Sequence, residues 1–286
     1  HKLAEMAIRT WVSESITYRT VGMIDHLIGD GADNATKLQS IEEYAVESSI
    51  NKVACSESLD YVVDEMVQIY GGYGYSADYP AERAYRDSRI NRIFEGTNEI
   101  NRMLIPGQLM KRAIKGKLGL LQAAKALQDE ILSPQMSFDE DTGLLAAETK
   151  LAQNAKKIAL MVLGTAAQKY MMDLADQQEV LVNCADIIMD SYQMETAILR
   201  AKKYAEKNGD EAAGRYVDMA SVYCNDAIQR IDSAAKNTIA AIAEGDEGRT
   251  LLVALKRFTK NNSPVNTIAA RQRIADVMIA ANTYSF

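Results

Sequence analysis

The sequence predicts an all-α fold, an up-down helical bundle followed by a second, antiparallel helical bundle. Only four prolines (Pro80, Pro106, Pro134 and Pro264) interrupt the 286 residues. The stretches between them are rich in Ala, Leu, Glu and Lys, which are strong helix formers. Apolar residues recur three and four positions apart over long segments, and no strand-length alternation of period 2 stands out.

A first helix is predicted over about residues 2–28, stopped by the GDGAD segment at residues 29–33. Ser40-Ile41-Glu42-Glu43 reads as a capping box opening a second helix. That helix meets no breaker before Tyr70, a length of roughly 45 Å at 1.5 Å per residue. Val46, Ile50 and Val53, then Leu59, Val62, Met66 and Ile69, keep helical spacing along it until Gly71-Gly72. Residues 71–81 form a loop rich in glycine and tyrosine. A short helix follows over residues 81–93 with Pro80 at its start. Glu95-Gly96-Thr97 breaks the run, and a further helix carries Ile100, Met103 and Leu104 to about Lys115.

Composition shifts over residues 116–143, where Gly116, Gly119, Ser133-Pro134 and Asp139-Glu140-Asp141 mark a linker with a short helix inside it. The division is therefore 1–115, 116–143 and 144–286. Beyond the linker, three apolar stripes repeat with heptad-like steps. The first is Leu151, Ala155, Ile158 and Val162; the second is Val180, Cys184, Ile187, Ser191, Met194 and Ile198. The third is Val217, Ser221, Cys224, Ile228, Ile231, Ala235, Thr238 and Ile242. Breaks near Asp176 and Asn208-Gly209 make these an antiparallel bundle. Asn262-Ser263-Pro264 caps a last helix to about residue 281.

Hydrophobic residues make up 48% and charged residues 25% of the chain, as in a soluble globular protein of one large or two ordinary domains. A net charge of −7 argues against a nucleic-acid footprint, which needs a basic face. Cys55, Cys184 and Cys224 have neither metal-ligand nor CxxC spacing; they fit a reducing compartment and read as small buried apolar residues. No metal site is expected. No segment approaches the roughly 18 to 20 apolar residues that span a bilayer, and no signal peptide is visible. Residue 1 is His, and the chain opens inside an amphipathic pattern (Leu3, Met6, Ala7, Trp11) with no cap before it. It therefore reads as a piece of a longer chain, and a missing leader carries no meaning.

Residues 68–102 are unusual for a helical protein. Gly71, Gly72 and Gly74 interleave with Tyr70, Tyr73 and Tyr75. They read either as a helix end with a turn, or as a backbone platform for a flat or phosphorylated ligand. Glu95, beside Ile93 and Phe94 and before Gly96, reads either as a helix-start residue with Thr97 as cap, or as a carboxylate in an apolar pocket. In such a pocket desolvation raises its pKa and suits it to proton abstraction. Glu82, Arg83, Arg86, Asp87, Arg89 and Arg92 read as ion pairs on a solvated face. His26 reads as a surface residue and Trp11 as a packing residue.

In order, QIYGGYGY, DYPAERAYRDSRI and IFEGTNEINR, all within residues 68–102, resemble the closing signature of the flavin-dependent acyl-CoA dehydrogenases nearly residue for residue. The resemblance covers about residues 1–112, which look like the last helices of that family's C-terminal helical domain. Residues 144–286 are similar in length and placement to the extra helical domain of its very-long-chain branch.

The resemblance implies FAD-dependent α,β-dehydrogenation of a long-chain acyl-CoA to the trans-2-enoyl-CoA in fatty-acid β-oxidation. A base takes the α-proton, the β-hydrogen passes as hydride to flavin N5, and electrons leave through an electron-transfer flavoprotein. Glu95 would be the base, and its backbone N–H would help polarise the thioester carbonyl. Phe94 stands where the family commonly has tyrosine and would wall the substrate site; Gly96 would let the thioester approach the backbone. Thr97, Asn98 and Glu99 would touch FAD. Gln68, Ile69, Tyr70, Gly71 and Gly72 would meet the FAD of a neighbouring subunit, which implies a homo-oligomer, dimer or tetramer. The family's N-terminal helical domain, β-domain and Arg-containing FAD segment do not precede these residues here, so the chain by itself is expected to be incomplete and inactive. The resemblance places the enzyme in a bacterial cytoplasm or the mitochondrial matrix, peripheral to a membrane, with residues from 144 onward adding dimer or membrane contacts. The alternatives are a helical scaffold or oligomerisation module derived from the family, and an acyl-CoA oxidase.

Overall fold

The computed structural model describes residues 1–132 and 142–286. Ser133-Pro134 and Asp139-Glu140-Asp141 of the expected linker lie outside the described residues. No strand occurs among those described. The helices are α1 (Lys2–Ile28), α2 (Asn34–Glu43), α3 (Ala45–Tyr70), α4 (Gly72–Tyr75), α5 (Pro80–Arg89) and α6 (Asn98–Ile114). Then come α7 (Leu120–Leu132), α8 (Ala146–Tyr170), α9 (Gln178–Asn208), α10 (Asp210–Ile242), α11 (Gly245–Phe258) and α12 (Thr267–Ala281). They group into two compact units, His1–Asn101 with Ile268–Phe286, and Arg102–Thr267. The first unit thus ends at Asn101, within α6, and takes in residues 268–286, whereas the compositional division falls at 115 and 144.

In the first unit α1 packs on α3. Ala4, Ala7, Ile8, Trp11, Val12 and Ile16 meet a core that also holds Val46, Ile50, Val53 and Val63, and Trp11 is fully buried. Gly29 ends α1 at φ 60°, its N–H donating to the Asp25 carbonyl at 3.0 Å. From α12, Arg271 Nε donates to Glu5 Oε1 at 2.6 Å, with both side chains 11% exposed. Tyr284 donates to Glu14 at 3.0 Å.

The expected capping box at Ser40 does not form. Asp33 caps α2 instead, accepting from the Thr36 N–H at 2.8 Å. Ser40 lies inside α2 and donates to the Thr36 carbonyl at 2.8 Å, the alternative use of a helical serine. The backbone breaks at Tyr44 (φ −101°, ψ 28°) before α3 begins. The stripe on α3 is buried only at its start: Val46, Ile50 and Val53 are covered, whereas Leu59 and Ile69 are 41% and 47% exposed. The expected loop at 71–81 contains the single turn α4. There a Cβ on Gly74 would stand 2.5 Å from the Val67 carbonyl oxygen, so only glycine fits.

The second unit is built on α8, α9 and α10, and side-chain partners fix their directions. Thr149 and Lys156 on α8 meet Lys202 and Glu195 on α9, so residue numbers rise on one helix as they fall on the other. Glu148 meets Ser221, and Lys169 and Tyr170 both donate to the Ala241 carbonyl, so α8 and α10 run the same way. The three stripes form the core, every member buried except half-buried Val217. Within it Asp190, 8% exposed, accepts from Arg230 at 2.7 and 3.1 Å and from the Tyr223 hydroxyl at 3.1 Å. The helix α11 is distinct from α10, because Ala243 turns extended (φ −140°, ψ 147°) with no glycine or proline before it. The final helix starts at Thr267, three residues past Pro264. Lys157 holds α7 to α8 through Glu130 at 2.7 and 2.8 Å.

Ile187 is fully buried, whereas Leu199 on the same helix is 48% exposed. Ile187→Ala should lower unfolding stability by about 2–5 kcal/mol, and Leu199→Ala by about 0.5 kcal/mol or less; urea midpoints of the two variants check the contrast. Burial pushes the Cys184 thiol up to about 12. Burial, then Glu148 and Asp190, push Cys224 well above the ordinary range. A raised pKa keeps the unreactive thiol form until pH climbs past it. At about pH 8, where an unfolded cysteine ionises readily, both should resist an aromatic disulfide reagent until the chain is denatured.

Candidate functional site

The segment bearing Glu95 begins at a 3-10 turn, Ile90–Arg92. The Ile90 carbonyl accepts from the N–H groups of Ile93 at 2.8 Å and Phe94 at 3.1 Å. The backbone then enters the left-handed region at two successive residues, Glu95 (φ 54°) and Gly96 (φ 80°). Glycine does this freely, but a non-glycine residue costs of order 1–3 kcal/mol that its surroundings must hold. Thr97 precedes α6 and caps it, its hydroxyl accepting from the Ile100 N–H at 3.2 Å.

Two asparagines one turn apart secure this segment. The Asn101 side-chain amide donates to the Gly96 carbonyl at 2.9 Å and the Thr97 carbonyl at 3.1 Å. Asn98, 2% exposed, ties the start of α6 to α3. Its Oδ1 accepts from Lys52 Nζ at 2.6 Å and Ser56 at 3.3 Å, and its Nδ2 donates to Ser56 at 3.0 Å and Glu57 at 3.1 Å. A cation, a hydroxyl and a carboxylate thus surround one amide.

Glu95, Ile93 and Phe94 are all exposed. The apolar pocket anticipated around the carboxylate is therefore not formed by its own neighbours in the chain. Glu99 is exposed on the first turn of α6, where the helix dipole favours an acid. Gln68, Ile69, Tyr70, Gly71 and Gly72 lie together at the exposed end of α3, with open space where a Cβ on Gly71 or Gly72 would stand. They do not converge with Glu95. Asn98 is anchored at residues 52–57, and twelve helical residues from Ser56 to Gln68 span roughly 18 Å.

In the charged run Arg86 pairs with Glu82 at 3.1 Å, and Arg92 reaches Asp60 at 2.9 Å. Arg102, in the second unit, pairs with Asp186 at 2.7 Å. His26 is exposed. Lys52, Ser56, Glu57 and Asn101 escaped the sequence reading. Their one signal was the spacing, Lys52 and Ser56 four apart and Asn98 and Asn101 three apart. Among the described residues no group of three or more His, Cys, Asp and Glu could hold a metal ion. No helix among them is long and apolar enough to cross a membrane.

Residues 1–110 match a family model described as the acyl-CoA dehydrogenase C-terminal domain, and residues 154–257 match a second model of the same description. The chain belongs to the acyl-CoA dehydrogenase family. It is 43% identical over 289 residues to a probable acyl-CoA dehydrogenase of Bacillus subtilis, covering 99% of this chain and 48% of that protein. It is 29% identical over 251 residues to the mitochondrial very long-chain specific acyl-CoA dehydrogenase of Rattus norvegicus, covering 80% of this chain and 36% of that one. The crystal structure of a Bacillus anthracis acyl-CoA dehydrogenase complexed with FAD matches with TM-score 0.96 and 45% identity, over 100% of this chain and 49% of that one. The chain thus spans about half the length of these Bacillus relatives.

Asn98→Ala leaves Lys52 and Glu57 without their shared partner. It should cost about 1–3 kcal/mol, read as a lowered melting temperature. An unchanged melting temperature would mean that this network does not hold α6 to α3.

Proposed function

We propose that this chain is the C-terminal portion of an FAD-dependent acyl-CoA dehydrogenase in which Glu95 removes the α-proton of an acyl-CoA thioester, yielding the trans-2-enoyl-CoA in fatty-acid β-oxidation. The observation that carries the reading is the backbone of Glu95, a non-glycine residue held at φ 54° on an exposed, doubly secured turn. Strain of this kind is held in place by its surroundings and clusters at active sites. Family membership supports the reaction class, and the turn supports Glu95 as the residue.

The Glu95 carboxylate takes the proton, with Phe94 beside it as a wall of the acyl-chain site. The Glu95 N–H donates to the thioester carbonyl as negative charge develops there. Gly96, at φ 80°, keeps side-chain bulk out of that approach. FAD, when bound, accepts the β-hydrogen as hydride. Thr97 and Glu99 at the start of α6 suit it, with Asn98 contributing through its backbone because its buried side chain is engaged. The open backbone at Gln68, Ile69, Tyr70, Gly71 and Gly72 suits a flat ring system, and its distance from Glu95 along α3 supports service to a neighbouring subunit's FAD in a homo-oligomer. The match to the very long-chain specific enzyme supports a long acyl chain. An electron-transfer flavoprotein would take the electrons, in a bacterial cytoplasm or mitochondrial matrix, at a membrane surface.

The test uses the protein with its complete chain. Under anaerobic conditions long-chain acyl-CoA should bleach the flavin absorbance of the wild type and leave that of Glu95→Gln unchanged. Equal bleaching of both would remove Glu95 from the role; flavin that never bleaches would point to another substrate class.

A further inference from the structure

We propose that Asn101 is a positioning residue for this reaction: its side-chain amide clamps the Gly96 and Thr97 carbonyls and so holds Glu95 in its left-handed conformation. The inference rests on the reading of Glu95 as the base.

The segment has fixed points on both sides. Upstream, Ile93 and Phe94 close the 3-10 turn onto the Ile90 carbonyl. Downstream, Asn98 is locked to α3 through Lys52, Ser56 and Glu57. Between them lie Glu95 and Gly96, both at positive φ. The Asn101 amide closes this gap, reaching back from the first turn of α6 to carbonyl oxygens at 2.9 and 3.1 Å.

Three properties suit it to that role. It is 8% exposed, so water competes weakly for its bonds. Both its contacts are carbonyl oxygens, which accept only, so the group facing them must be the NH₂ and the amide orientation follows. A Cβ on Gly96 would stand 3.1 Å from that nitrogen, so glycine at 96 and asparagine at 101 fit each other. The side-chain bonds of Asn101 fall on backbone carbonyls. It acts through the peptide groups that set where the Glu95 carboxylate and N–H point.

Asn101→Asp separates positioning from bulk. The aspartate has nearly the same shape but sets a carboxylate oxygen against two carbonyl oxygens, so the clamp becomes a repulsion. Asn101→Ser, which shortens the reach without adding charge, is the second variant should the first fold poorly. In the complete FAD-loaded protein, stopped-flow bleaching should slow by about tenfold to a hundredfold, the loss that misplacement by about an ångström brings. The loss should fall on kcat with KM little changed, and the isotope effect from α-deuterated acyl-CoA should rise as proton abstraction becomes limiting. A loss of folded protein alone would lower the bleaching amplitude and leave the rate constant and isotope effect unmoved; that outcome overturns the proposal. Glu95→Gln, measured beside them, keeps the two inferences apart. If Glu95→Gln is inactive and both Asn101 variants bleach at the wild-type rate, positioning by Asn101 is wrong and the base stands. If Glu95→Gln bleaches normally, the base reading falls and this proposal falls with it.

Discussion

One buried amide connects the candidate base to the rest of its unit. Asn98 sits at the start of α6 with its side chain between Lys52, Ser56 and Glu57 of α3. Without it, the downstream side of the turn bearing Glu95 would lose its side-chain anchor on α3. An amide suits this position because it both donates and accepts, and so can face a cation and a carboxylate together. The helix it grips is also the one around which α1, α2, α4 and α5 gather. The geometry of the turn is therefore referred to the most heavily packed helix of its unit.

The second unit is held by different means. Its three long helices bury continuous stripes in which small residues (Ala155, Cys184, Ser191, Ala235) alternate with large ones, which lets the helices approach closely. A buried carboxylate in it is fully partnered. Asp190 is met by a guanidinium and a phenol, with Arg230 also lying over the Tyr223 ring at 5.4 Å. Through these contacts the carboxylate ties α9 to α10.

The legible parts of the sequence were those written in local spacing. The helix α1 has the bounds its apolar pattern implies, and the three stripes of α8, α9 and α10 face inward as their heptad steps require. The break at Tyr44 was hidden because neither glycine nor proline marks it. The Ser40…Glu43 pattern imitated a cap that Asp33 provides, and the separation of α11 from α10, marked by Gly245 at φ 58°, was passed over. On α3 the stripe is real but half unpaired, since periodicity reveals which residues share a face and not what covers it. At the site, Glu95-Gly96-Thr97 was visible as an interruption with chemistry in it. Asn101 and Lys52 were not, because an asparagine in a helix announces nothing until its partner's position is known.

The distance along α3 between the glycine edge and the Glu95 turn has a genetic consequence. If each cofactor is served by the turn of one subunit and the edge of its neighbour, damage to either element disables a different half of a shared site. A dimer formed from one subunit broken at the turn and another broken at the edge then holds one site with both defects and one with neither. Two alleles that are each silent alone would complement when expressed together. The span of one helix would decide which pairs of lesions can rescue each other.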